Sequence, residues 1–106
     1  MQTDVEKLVN ELVQECLDKG YSSAASINNG DCETFAIELA GKINSVANIK
    51  LEGRAEVFWD IDLDHDMEQF HCFVLFNDLY YDSECPGGAD DFMDLPIYER
   101  ELIIKK

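Results

Sequence analysis

Basic residues are scarce in this 106-residue chain: Lys and Arg number 8 against 23 Asp and Glu, a formal net charge of −15. Phosphate backbones and anionic lipid heads repel such a surface, which argues against direct nucleic-acid binding and against a membrane-surface role. No apolar run approaches the roughly 20 residues a membrane span requires. The N-terminus, Met1-Gln2-Thr3-Asp4, lacks a basic stretch followed by an apolar one, so no signal peptide is expected. Cys16, Cys32, Cys72 and Cys85 form no CxxC pair, which removes zinc-ribbon and thioredoxin spacings. Scattered thiols in a chain read as unsecreted point to a reducing compartment, with cytoplasmic placement and no disulfides. There are only 2 prolines and 6 glycines, no repeat, no linker and no glycine-rich phosphate loop.

What is present is enough for a core: 46% of residues are hydrophobic and 10% aromatic, in a length suited to one domain spanning 1–106. Thr3-Asp4 reads as a helix start, followed by Val5, Leu8, Val9, Leu12, Val13, Cys16 and Leu17 at helical spacing. Lys19-Gly20 closes that helix. Cys16 lies on the apolar stripe and reads as a core thiol. Residues 21–31 are turn-rich. A second helix carries Cys32, Phe35, Ala36, Leu39, Ala40 and Ile43 on one face and fades around Asn44 to Asn48.

Strand patterning follows at Arg54–Trp59 and, more strongly, at Gln69–Phe76. Asn77-Asp78 suits a two-residue hairpin turn because both residues tolerate positive φ. Leu79-Tyr80-Tyr81-Asp82 is then the returning strand. The segment from Ala89 to Lys106 reads as irregular or helical, with a last strand at Leu102–Ile104. The expected class is α+β: two N-terminal helices packed on an antiparallel sheet.

Three residues stand out chemically. Cys32 opens the second helix, where the helix dipole and free backbone N–H groups favour a thiolate and can bind an oxyanion. His71 lies in the strong strand. With a two-residue turn, Phe76 pairs with Leu79 and partner numbers sum to 155, so His71 opposes Glu84 and Phe73 opposes Asp82. His71, Phe73, Asp82 and Glu84 then share a face. Asp82 is the diagonal neighbour that would orient the imidazole, with Glu84 as the reserve. A thiol, a base and a carboxylate orienting that base are the parts nucleophilic catalysis needs.

The run Gly30-Asp31-Cys32-Glu33-Thr34-Phe35-Ala36-Ile37-Glu38-Leu39-Ala40 resembles the helix-start motif of the transglutaminase-like branch of papain-fold cysteine enzymes. In that branch a Gly-x-Cys step opens a helix whose next turn often carries Phe-Ala; a strand, a His-led strand and an Asp on the following strand come next. Here Arg54–Trp59, His71 and Tyr80-Tyr81-Asp82 meet that order, over about residues 28–86. The segment from Tyr81 through Arg100 also resembles the tail of short phage and bacterial proteins of this type. The resemblance implies a papain-like core with Cys32 as nucleophile, His71 as general base and Asp82 as orienter. It departs from the family at Ser26, where papain-type enzymes carry a Gln six residues before the Cys. Asn28, Asn29 and Gln69 are the alternatives for that oxyanion donor.

Weaker patterns read blandly. Asp60, Asp62, Asp64, Asp66 and Glu68 alternate, but the calcium-loop Gly and closing Glu are missing, so a solvated acidic loop is expected. His65 has no second histidine in register. Cys72 reads as packing and Cys85 as an exposed loop thiol; zinc held by Cys85, His71 and Cys32 is a remote alternative. No metal or cofactor is expected. Two functions remain. One is a cysteine hydrolase or acyltransferase (peptidase, deamidase or crosslinking enzyme) acting on a protein or peptide amide. The other is a non-enzymatic acidic interaction or inhibitor protein, possible mimicry of nucleic acid included, that meets a basic protein partner.

Overall fold

The computed structural model describes residues 3–63 and 70–98. Helix α1 (Val5–Asp18) begins where Asp4 accepts a hydrogen bond from Lys7 N–H at 3.1 Å. It ends in a Schellman arrangement, with Gly20 N–H donating to Leu17 O and Tyr21 N–H to Cys16 O. Gly20 takes the positive φ (118°) that this cap demands. Val5, Val9 and Leu12 bury the apolar stripe.

The turn-rich stretch contains a short helix, α2 (Ala24–Asn28), started by a reciprocal Ser23–Ser26 capping box. Helix α3 (Cys32–Val46) buries Cys32, Phe35, Ala36, Leu39, Ala40 and Ile43, the face the periodicity predicts. A further turn of helix, α4 (Ile49–Glu52), precedes the sheet. Three strands follow, β1 (Glu56–Trp59), β2 (Cys72–Phe76) and β3 (Leu79–Tyr81), in the order β1-β2-β3 and antiparallel throughout.

The hairpin keeps the expected register: Phe76 faces Leu79 and Val74 faces Tyr81. Its turn residues Asn77 and Asp78 have φ of 52° and 67°, the primed conformation that matches strand twist. The central strand β2 is covered on both sides, which explains its unbroken apolar run. Cys72, Val74 and Phe76 face α1 and α3. Phe73 faces the opposite way, into a second cluster with Leu95, Ile97 and Tyr98. That cluster belongs to the segment after β3, which bridges Tyr80 to Ala89 and forms a 3-10 turn at Phe92–Asp94.

The class is therefore α+β with an antiparallel sheet, and several local expectations are corrected. The segment read as a solvated acidic loop opens with a helical turn, α5 (Asp60–Leu63), and Asp60 is wholly buried. Its backbone continues the β1–β2 ladder, Asp60 N–H donating to His71 O at 2.9 Å, so the first carboxylate enters the core with the strand. Cys85 is half-buried against the Phe73 cluster rather than exposed, because the chain turns back toward the sheet after Asp82. The remainder of the acidic loop with His65, the donor alternative Gln69 and the strand at Leu102–Ile104 lie outside the described residues. No described helix is long and apolar enough to cross a membrane.

Candidate active site

Cys32 is the first residue of α3. Asp31 precedes it without making a side-chain cap; its carboxylate instead accepts the Tyr21 hydroxyl. The first-turn amides thus have no side-chain cap, which leaves N–H groups for a charge at the helix end. His71 leads into β2, and Asp82 follows β3. The His71 Nε2 and Asp82 Oδ2 atoms are 2.9 Å apart, a wholly buried contact. Asp82 is fully used: its Oδ1 accepts Glu84 N–H at 2.9 Å in a turn that ends the strand.

Because that turn ends the ladder at Tyr81, Glu84 does not oppose His71. It accepts instead from Asn28 Nδ2 at 2.9 Å, while Asn28 Oδ1 accepts the Ser83 hydroxyl at 3.0 Å. Asn28, one of the three alternatives for an oxyanion donor, thereby ties α2 to the segment after β3. Asn29, the second alternative, is exposed.

Alternation along β2 sends His71 to the side of Phe73 and Tyr98, whose rings lie 5.9 Å from the imidazole. Cys32 belongs to the cluster on the other side, with Cys72. The two sides meet at the end of the sheet, where β2 begins beside the start of α3. With Nε2 committed to Asp82, Nδ1 is the ring nitrogen left to meet a thiol. It is buried and lacks a hydrogen bond of regular geometry. Cys32 is nevertheless near enough to couple to the imidazole as a hydrogen-bonding and charged neighbour. A loose thiol–imidazole approach is normal before substrate tightens it.

Electrostatics separates the thiols. Burial pushes Cys32 up, but the hydrogen bond and charge of His71 and the backbone N–H groups of Cys72 and Glu33 outweigh it, so its pKa falls below the ordinary 9.0. Burial raises Cys16. Burial and the Cys32 charge push Cys72 up to about 12. Burial would strip His71 of its proton; the Asp82 hydrogen bond, Cys32 and the Asp82 charge reverse this and lift it to about 9. Both shifts act in the direction of a thiolate–imidazolium pair.

Two more residues touch this arrangement and escaped the sequence reading. Asp60 Oδ2 accepts His71 N–H at 3.1 Å and the Tyr98 hydroxyl at 2.8 Å. Asp60 was hidden in an acidic run that looks solvated, and Tyr98 had no patterning to mark it. Access to the site is narrow: Cys32 is 8% exposed, Asp82 2% and His71 not at all. Among the described residues no group of three or more His, Cys, Asp or Glu is disposed to hold a metal ion. Comparison with known proteins finds no family model, no curated protein and no solved structure that matches the chain.

Proposed function

We propose that the protein is a cysteine-dependent hydrolase or acyltransferase of the transglutaminase-like, papain-fold kind, acting on a protein or peptide amide in a reducing, cytoplasmic setting. The observation that carries this reading is the buried 2.9 Å His71–Asp82 pair beside the thiol that opens α3. Cys32 thiolate would attack the amide carbon, and the oxygen would take the negative charge. His71 would give its proton to the departing amine, leaving a thioester. Water or an incoming amine would then attack that thioester, lose a proton to His71 and release Cys32. Asp82 holds the ring in one orientation and favours its charged form. The backbone N–H groups of Cys72 and Glu33 that face the sulfur supply nearby dipoles for the oxyanion.

The test is alkylation of the native protein by iodoacetamide across pH, with the modified residue located by mass spectrometry. Labelling of Cys32 at about pH 6 that is fast for a thiol and lost in His71→Ala is the expected result. Ordinary rates at Cys32, or no effect of His71→Ala, would sink the proposal.

The near-complete burial of the three residues, together with the charge of −15, favours one second reading: an acidic interaction protein built on the same core. It predicts unreactive Cys32 and salt-sensitive binding to a basic protein.

A further inference from the structure

We propose that Asp60 and Tyr98 form a positioning pair that fixes His71 through its backbone while Asp82 holds its ring; the inference rests on the Cys32–His71–Asp82 reading. Asp60 exchanges two hydrogen bonds with His71. Its N–H donates to His71 O at 2.9 Å, and its Oδ2 accepts His71 N–H at 3.1 Å. The same oxygen accepts the Tyr98 hydroxyl at 2.8 Å, and the Tyr98 ring stands edge-on to the imidazole, 5.9 Å away at 73°. Thus one carboxylate oxygen holds both the backbone that carries His71 and the ring that walls it in.

A purely structural role does not account for the choice of residue. A buried carboxylate is costly, and here the cost is only partly offset, since Asp60 Oδ1 is buried with no hydrogen-bond partner among the described residues. A neutral acceptor would secure the same N–H and hydroxyl. What a carboxylate adds is a stronger acceptor, one that holds the His71 N–H and the Tyr98 hydroxyl more tightly than a neutral oxygen would. The Tyr98 hydroxyl lies amid the whole arrangement: burial first, then its bond to Asp60 and the charges of Asp60, Asp82 and Cys32, all oppose its ionisation. The imidazole is accordingly bounded by Asp82 at Nε2, the Tyr98 and Phe73 rings 5.9 Å away, Cys32 from α3, and Asp60 at its backbone, with Cys72 next in the chain. Locking the ring this way keeps Nδ1 as the nitrogen not engaged by Asp82.

The discriminating measurement is the pH profile of Cys32 alkylation in the wild type, Tyr98→Phe and Asp60→Asn, each checked for folding by its amide NMR spectrum. Asp60→Asn keeps the shape and an acceptor oxygen; Tyr98→Phe removes one hydroxyl and no packing. A positioning role lowers the rate on the acid limb by roughly ten- to a hundredfold, the scale on which small misplacements act, and leaves the alkaline rate unchanged. A structural role lowers thermal stability and leaves the profile in place, which would overturn the proposal. Should Asp60→Asn fail to fold, Tyr98→Phe alone decides between those outcomes. A wild type without acid-limb reactivity would instead remove the underlying triad reading, and this proposal with it.

Discussion

His71 holds a proton that an ordinary imidazole loses near 6.5, although it has no contact with solvent. Burial works against the charge; Asp82, 2.9 Å away, and the Cys32 thiolate restore it. The direction sets the working window. Below the lowered pKa of Cys32 the nucleophile is protonated. Above about 9 His71 has lost the proton that must go to the leaving amine. Reactions needing both groups should therefore rise as the thiolate forms and fall through about 9. Ring NMR of His71 should show titration near 9 in the wild type and at a much lower pH in Asp82→Asn, where burial is no longer opposed by the carboxylate. Once the Cys32 pKa in that variant lies above the working pH, every further unit removes about tenfold of its thiolate. A wild-type His71 signal titrating at 6.5 would refute the ion-pair account.

At the scale of elements, the hairpin is what brings His71 and Asp82 together, and it was readable from Asn77-Asp78 alone. A two-residue primed turn fixes the register, and the register fixes which residues share a face. What lay beyond the ladder was not readable. Asp82 starts a turn of its own through Glu84 N–H, so the predicted His71–Glu84 pairing never forms. Helices α2, α4 and α5 escaped the periodicity because four or five residues cannot display one. Cys32 at the start of α3 was legible from the apolar stripe; Asp60 was not, because burial of one carboxylate in an acidic run depends on the strand it extends. Two substitutions test the hairpin region with opposite signs. Asp78 sits at φ 67°, so Asp78→Gly should raise the unfolding free energy by a few tenths to about 1 kcal/mol and shift the urea midpoint upward. Gly88 has φ 81°, and an added Cβ would lie 2.9 Å from Tyr81 Cε1. Gly88→Ala should cost about 1–3 kcal/mol through strain and overlap. Equal midpoints for the two variants would contradict the turn geometry.

The whole molecule carries 23 acidic side chains against 8 basic ones, and among the described residues only Asp60 and Asp82 of those carboxylates are buried. The Lys42–Glu15 pair, at 3.8 Å with both side chains well exposed, offsets little of that imbalance. Carboxylates crowd the same surfaces: Asp4, Glu6 and Glu11 line one shallow groove along α1, with Lys7 the cation among them. Like charges held at such spacing repel more strongly in the compact state than in the expanded chain, so folding works against a net charge of −15. Salt should relieve this. Raising sodium chloride from roughly 0.02 to 0.5 M shortens the screening length from about 20 to about 4 Å, below most charge separations on a domain this size. The melting temperature should climb with salt and then level off, by an amount on the order of 1 kcal/mol, or roughly 4–8 °C. A protein held together by surface ion pairs would respond in the opposite sense, losing stability as salt is added. The buried His71–Asp82 pair is shielded from that screening, so Cys32 reactivity should stay nearly constant over the same range while stability rises. A melting temperature that falls with salt would show that specific surface pairs, rather than bulk repulsion, dominate the electrostatics of this fold.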